Sequence, residues 1–133
     1  MKYSARGFTL IELMIVMVVI GIIAMFAYPA YLDQVRKSRR AEAQKVLMAG
    51  QIGEERYRSY FDTYGNATSL AAESLNMGTA DFFTFTINVP VASAATHYTL
   101  TASASGDQLK DTSCTTMTLD QSNVMTPAAC WKR

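Results

Sequence analysis

Residues 13–32 of this 133-residue chain contain no ionised side chain. A helix needs ~20 predominantly apolar residues to cross a bilayer, so this stretch is long enough to span one. Two features set it apart from an ordinary anchor. A carboxylate, Glu12, stands at its entrance, and a short basic segment, residues 1–7 with Lys2 and Arg6, precedes it. An acid at the lipid end of a helix is costly and marks a functional position.

The rest of the chain is what this helix carries. About a hundred residues remain, enough for one small domain. Mean hydropathy is only +0.07, so a single element holds most of the apolar excess. Lys plus Arg number 12 and Asp plus Glu 11, a balance that implies no strongly charged partner. Two cysteines, Cys114 and Cys130, lie near the end. A pair in a chain with an export-type leader favours a disulfide in an oxidising compartment, two buried thiols being the alternative.

A secretory signal has its small-residue cleavage site after the apolar core. Here the clear junction comes before it, at Gly7-Phe8, so cutting there removes the charge and keeps the helix. The string Gly7-Phe8-Thr9-Leu10-Ile11-Glu12, followed by the apolar run, resembles the class III signal of type IV pilins and type II secretion pseudopilins. That resemblance implies cleavage after Gly7 by a prepilin peptidase and N-methylation of Phe8. It makes Glu12 an assembly contact, answered by the amine of a neighbouring subunit in a low-dielectric filament core and fixing register between subunits. The plainer reading of Glu12 is a carboxylate favoured by the helix macrodipole. Pro29 falls where many such pilins carry a helix-loosening proline, and Gly21 weakens the same segment. A curved but continuous helix is expected.

Charge alone leaves orientation undecided, because Arg36, Lys37, Arg39 and Arg40 lie across the run from Lys2 and Arg6. The cysteine pair and the resemblance place the C-terminal part outside. The basic cluster is then a solvated helix turn near headgroups.

The helical pattern continues past the membrane. Val35, Ala43, Val46, Gly50, Gly53 and Tyr57, then Tyr60 or Phe61, recur at three- or four-residue intervals, predicting one helix over about 9–60. Close approach of a sheet would explain Gly50 and Gly53; plain weakening of the helix is the alternative. Residues 62–81 read as a loop with one helical turn around 69–75. Asn66-Ala67-Thr68 is formally a glycosylation sequon and carries little weight.

The period then changes to two. Phe83, Phe85, Ile87 and Val89 alternate with Thr and Asn; Tyr98, Leu100, Ala102 and Ala104 with Thr and Ser; Met117 and Leu119 with Thr116, Thr118 and Asp120. Such runs predict an antiparallel sheet with one face on the helix, with Pro90 ending the first strand and Gly106-Asp107 turning the second into the third. The expected fold is an α+β pilin fold: a long N-terminal helix packed by its C-terminal half on a 3–4-stranded antiparallel sheet. The expected parts are a leader over 1–7, a transmembrane or filament-core half over 8–32, and a head over 33–133 with a disulfide loop over 114–130. In type IV pilins that loop is the exposed, variable region. The stretch from Asp111 through Cys114 to Leu119, with Thr126-Pro127 and Cys130-Trp131, resembles minor pilins of the PilE type.

Catalytic inventory is thin. His97, the single histidine, falls in a predicted strand, and no CxxC, clustered metal ligands or phosphate-binding glycine loop occurs. Asp107, Asp111 and Asp120 read as solvated turn or strand-edge residues. The reading is therefore structural, with no enzyme, metal or cofactor. It describes a minor pilin in the inner membrane, head in the periplasm, that then joins a cell-surface pilus. Its implied partners are other pilins, the prepilin peptidase, the inner-membrane assembly machinery and the membrane itself. The alternatives are a type II secretion pseudopilin, disfavoured by the C-terminal cysteine loop, and a competence or adhesion pilin whose head binds DNA or a surface. For DNA, the basic residues after Arg58 are only Lys110, Lys132 and Arg133, which is thin support.

Overall fold

A computed structural model describes residues 7–75 and 77–131; Lys2, Arg6, Lys132 and Arg133 lie outside them. The chain divides into two compact units, Met1–Val35 and Arg36–Arg133. One helix, α1 (Leu10–Phe61), contributes to both, within a residue of the expected bounds at each end. It is continuous through Gly21 and Pro29. In the first unit the large apolar side chains from Phe8 to Tyr31 are all exposed.

The second unit is an α+β domain. After α1 come a short helix α2 (Ala67–Ala72) and strands β1 (Phe83–Asn88), β2 (Thr99–Ala104), β3 (Thr116–Asp120) and β4 (Met125–Thr126). They form a single antiparallel sheet in the order β1-β2-β3-β4. Register follows the alternation. Phe85 pairs with Ala102 and Ala102 with Met117; Ile87 pairs with Leu100 and Leu100 with Leu119. These side chains share one face, and Leu100, Ala102, Met117 and Leu119 are wholly buried. The opposite face pairs Thr86 with Thr101 and Thr101 with Thr118.

The buried positions of α1 are Ala43, Val46, Leu47, Gly50, Gly53 and Glu54, the i, i+3, i+4, i+7 spacing of a helix face laid on a sheet. Small residues let the two approach. A Cβ on Gly50 would strike the Met77 side chain and come within 3.1 Å of Leu100 Cδ1, and one on Gly53 would lie 2.9 Å from the Leu75 carbonyl oxygen. Close packing is thus the reason for both glycines. The apolar face stops earlier than its periodicity suggested: Tyr60 and Phe61 are exposed, and Tyr57 stacks on Phe61 at 4.5 Å.

The fourth strand, β4, fills the upper bound of the expected 3–4-stranded sheet and occupies the place where the sequence pattern showed only a turn at Thr126-Pro127. Its hairpin is closed by Asp120, whose Oδ1 accepts from the backbone N–H of Ser122 and Val124, both at 2.9 Å. Three other local expectations are corrected. Gly106 does not begin a tight hairpin turn but a 3-10 helix, Gly106–Lys110. His97 precedes β2 rather than lying in it, and its Nδ1 sits 2.6 Å from the Thr96 hydroxyl. Asp111 is buried, not solvated.

Candidate functional site

Among the described residues, both units carry functional chemistry. In the first unit it begins at the start of α1. Gly7 and Phe8 precede the helix and are exposed. Thr9 caps it: its Oγ1 accepts from the backbone N–H of Glu12 at 3.2 Å, and its carbonyl accepts from Leu13 N–H at 3.2 Å. Thr9 and Glu12 thus hold the N-cap and N3 positions of a capping-box sequence. The Thr-x-x-Glu spacing is the sequence signal for this role of Thr9, and the longer motif masks it. Glu12 makes no ion pair among the described residues, and behind it the apolar residues stand uncovered. Exposed apolar surface on this scale marks a membrane or protein interface.

In the second unit, the C-terminal end of α1 packs a carboxylate against the loop that follows. Glu54 is fully buried. Its Oε2 accepts from the Gly65 backbone N–H at 3.0 Å, while Oε1 has no hydrogen-bond partner among the described residues. Burial therefore raises its pKa to about 7; the Gly65 bond opposes that rise and the neighbouring Glu55 charge adds to it. Beside it, Arg58 donates to the Tyr64 hydroxyl at 2.8 Å, that hydroxyl donates to Glu55 at 3.1 Å, and the Tyr64 ring meets Tyr98 edge-on at 4.5 Å. Together they pin residues 62–66 to the helix.

A basic corner forms farther back along α1. Arg40 is paired with Asp111 through two contacts, Nη2 donating to Oδ1 at 3.1 Å and Nε 2.6 Å from Oδ2. Buried Gln108 donates to Asp111 at 2.9 Å and to the Arg36 carbonyl at 3.4 Å. These bonds hold the Gly106–Lys110 turn beside the 36–40 segment of α1. On the outside of that turn Lys110 pairs with Asp107 at 2.9 Å. The bond and charge of Lys110, with smaller help from Arg39 and Arg36, hold the Asp107 carboxyl below its ordinary range. Arg39 lies 3.5 Å above the centre of the Phe82 ring.

Cys114 and Cys130 form a disulfide with Cα atoms 5.7 Å apart. Both are buried in the core, and the loop between them contains β3 and β4. Gln44 of α1 donates to the Cys130 carbonyl at 2.8 Å, tying the end of the loop to the helix. The structure thus brings the two cysteines together with Arg40, Asp111 and Gln108 near α1, while Asp120 stays at its own hairpin. No group of three or more His, Cys, Asp or Glu able to hold a metal occurs among the described residues.

Helix and sheet together make a pilin fold, and the same architecture is found in a type IV pilin from Shewanella oneidensis. That structure matches with a TM-score of 0.58 at 24% identity, covering 74% of this chain and 99% of that one. Residues 29–118 match the family model described as "Type IV minor pilin ComP, DNA uptake sequence receptor", and residues 2–28 match the prokaryotic N-terminal methylation motif. The chain belongs to this family of type IV minor pilins. It is 60% identical over 42 residues to the type IV major fimbrial protein FimA of Dichelobacter nodosus, 32% of this chain and 26% of that one. It is also 53% identical over 53 residues to the fimbrial protein EcpC of Eikenella corrodens, 40% and 34% of the two chains. The third comparison is the type IV major alpha-pilin of Moraxella bovis, 52% identical over 48 residues, 36% and 30%. The chain spans only about a quarter to a third of the length of these curated relatives.

Proposed function

We infer that this chain is a minor subunit of a type IV pilus, assembled through the N-terminal half of α1. The observation that carries this reading is the helix start: a capped Thr9-x-x-Glu12 opening onto apolar side chains that stay exposed from Phe8 to Tyr31. Such a helix rests in the inner membrane first and is then buried among copies of itself. Prepilin peptidase cuts between Gly7 and Phe8 and methylates the amine so formed. The amine of a neighbouring subunit pairs with Glu12 as the assembly machinery moves the chain from lipid into the filament, with the head held in the periplasm until then. Gly21 and Pro29 are where α1 yields during packing.

Mass spectrometry of the membrane-extracted chain tests the processing step, since a mature chain beginning at methylated Phe8 is expected. An intact Gly7-Phe8 junction in cells with active peptidase refutes it. Glu12→Ala should leave that cleavage intact and lower entry into filaments; normal incorporation removes the register role.

A second reading concerns the head. The family model carrying the DNA-receptor description covers residues 29–118, most of the second unit. On this reading the head captures DNA, a role tested by retention of duplex DNA on filaments at graded salt. Retention independent of salt, or none at low salt, counts against it.

A further inference from the structure

Between Tyr64 and Leu75 the second unit carries a segment with little to hold it. Of residues 65–74 only Gly65 and Leu70 are buried; Ser69 is half-buried and the rest are exposed. The helix within it, α2, has six residues, too few to be stable unaided. Both flanks are fixed. Tyr64 is held by Arg58, Glu55 and Tyr98, and its backbone N–H donates to the Ala94 carbonyl at 2.8 Å. Leu75 has its carbonyl packed so closely on Gly53 that a Cβ there would come within 2.9 Å. Beside that second flank Ser74 has a φ of 58°, a left-handed conformation uncommon for serine and a place where the chain can turn.

Two contacts keep the segment down. One is apolar. Leu70, 1% exposed, closes over Gly65, where a Cβ would lie 2.5 Å from Leu70 Cδ1. Leu70 is not part of the main core cluster; it lines a cavity of about 360 Å3 together with Met77, Phe85 and Ile87. The other contact is polar: the Gly65 N–H donates to Glu54 Oε2 at 3.0 Å, the one bond this carboxyl makes among the described residues. No described cation pairs with Glu54. Its neighbours are Glu55 on α1, whose charge opposes its own, and the Tyr64 and Tyr98 hydroxyls, which burial pushes above their usual range and so keeps neutral. Arg58 is engaged with the Tyr64 hydroxyl. An ionised carboxylate would accept a stronger bond from Gly65, but one bond does not offset the water lost around a buried charge. Lifting Gly65 away lets water return.

We propose that residues 65–74 form a flap latched by Glu54: closed while the carboxyl is neutral, and released as a unit, turning at Ser74, when it ionises. The closed form gains from the proton. Its stability is therefore whole below pH 4.5, falls between pH 4.5 and about 7, and is constant above. Release lifts Leu70 from the cavity and opens that apolar recess beside Phe85 and Ile87 of β1, the strand at the edge of the sheet. The head thus uncovers the recess more readily in neutral or alkaline surroundings than in acid.

The test is hydrogen exchange of the whole chain in detergent, comparing amides of residues 65–75 with those of β2 and β3, each rate divided by its intrinsic value at that pH. For 65–75 the corrected rate should rise about 40-fold between pH 5 and pH 7 and level off above, while β2 and β3 stay slower throughout. Glu54→Gln should hold 65–75 at the slow acid rate at every pH. Leu70→Ala should speed 65–75 by about tenfold or more at every pH and keep the slope.

A corrected rate for 65–75 that does not change with pH overturns the proposal. So does one equal to that of β2 and β3, which would mean that only the whole head opens. Both results come from the unsubstituted chain, so the test stands whether or not a variant folds. A slope that survives Glu54→Gln assigns the titration to another group and overturns the latch. Exchange of 65–75 left unchanged by Leu70→Ala overturns the flap.

Discussion

Glu54 is the residue whose replacement is most informative about the head. Its pKa is 4.5 as an ordinary carboxyl and about 7 in the folded chain. Between those values the folded state keeps a proton that the unfolded state has released. Stability contributed at this position is therefore greatest below pH 4.5, falls as pH rises through the window, and levels off above about 7. At ~1.4 kcal/mol per pH unit of separation, the ionised group burdens the fold by about 3 kcal/mol. The geometry says why: a fully buried carboxylate with one bond, to Gly65 N–H, and a second oxygen without a described partner.

Glu54→Gln removes the charge and keeps an oxygen for Gly65. Urea unfolding of the whole chain in detergent, followed by the fluorescence of Trp131 against the core, gives the difference between the two proteins at each pH. Other carboxylates titrate in both and cancel. The glutamine variant should match the parent near pH 4.5 and exceed it by about 2–3 kcal/mol at pH 8. A difference that stays flat across that range, or a variant less stable at pH 8, refutes the argument from burial.

Other perturbations probe different links. Reducing Cys114–Cys130, which closes a loop of sixteen positions, should cost roughly 3 kcal/mol by the chain-entropy account and release β4 first, visible as early amide exchange at Met125 and Thr126. Gly53→Ala gains helix propensity but drives a methyl against the Leu75 carbonyl, a backbone atom; the net result should be a loss of about 1 kcal/mol in the same unfolding assay. Arg40→Ala leaves Asp111 buried without its cation and should cost about 3 kcal/mol, whereas Arg40→Ala with Asp111→Ala should cost less than the two single changes added, as a double-mutant cycle would record.

What was legible in advance follows from the range over which each signal acts. The long helix and three longer strands are written in local periodicity, and their registers follow from which residues must face the helix. The Gly7-to-Glu12 motif is likewise contiguous. Glu54 was not legible, because it stands beside Glu55 with the same side chain; only the position of the following loop decides which of the two is buried. Arg40 and Asp111 are 71 positions apart, and no local pattern pairs them. Asp111 was read as solvated because aspartate in a turn usually is. The two-residue β4 is too short to show a period, and it exists because Asp120 caps the hairpin that makes it.

The distribution of charge also limits how the head could hold DNA. The outward face of the sheet carries Thr84, Thr86, Asn88, Thr101, Ser103, Thr116 and Thr118, with not one basic side chain among them. Hydroxyls can position a phosphate but release no counterions, and counterion release supplies most of the non-specific affinity. Of the described basic residues in the head, Arg40 is spent on Asp111 and Arg58 bonds to Tyr64. Lys37, Lys45 and Arg56 are exposed on α1, the first and last about 28 Å apart along its axis at ~1.5 Å per residue, and Lys110 is exposed on the Gly106–Lys110 turn. A duplex held by this head should therefore follow the helix edge and not the sheet, touching three or four phosphates. The logarithm of its affinity should then fall with the logarithm of salt at a slope of about −3 to −4. Lys45→Gln should lower that slope by close to one, and Thr86→Ala should leave it unchanged. A slope steeper than about −5 would require more phosphate contacts than this arrangement of cations can make, and would place the DNA site elsewhere.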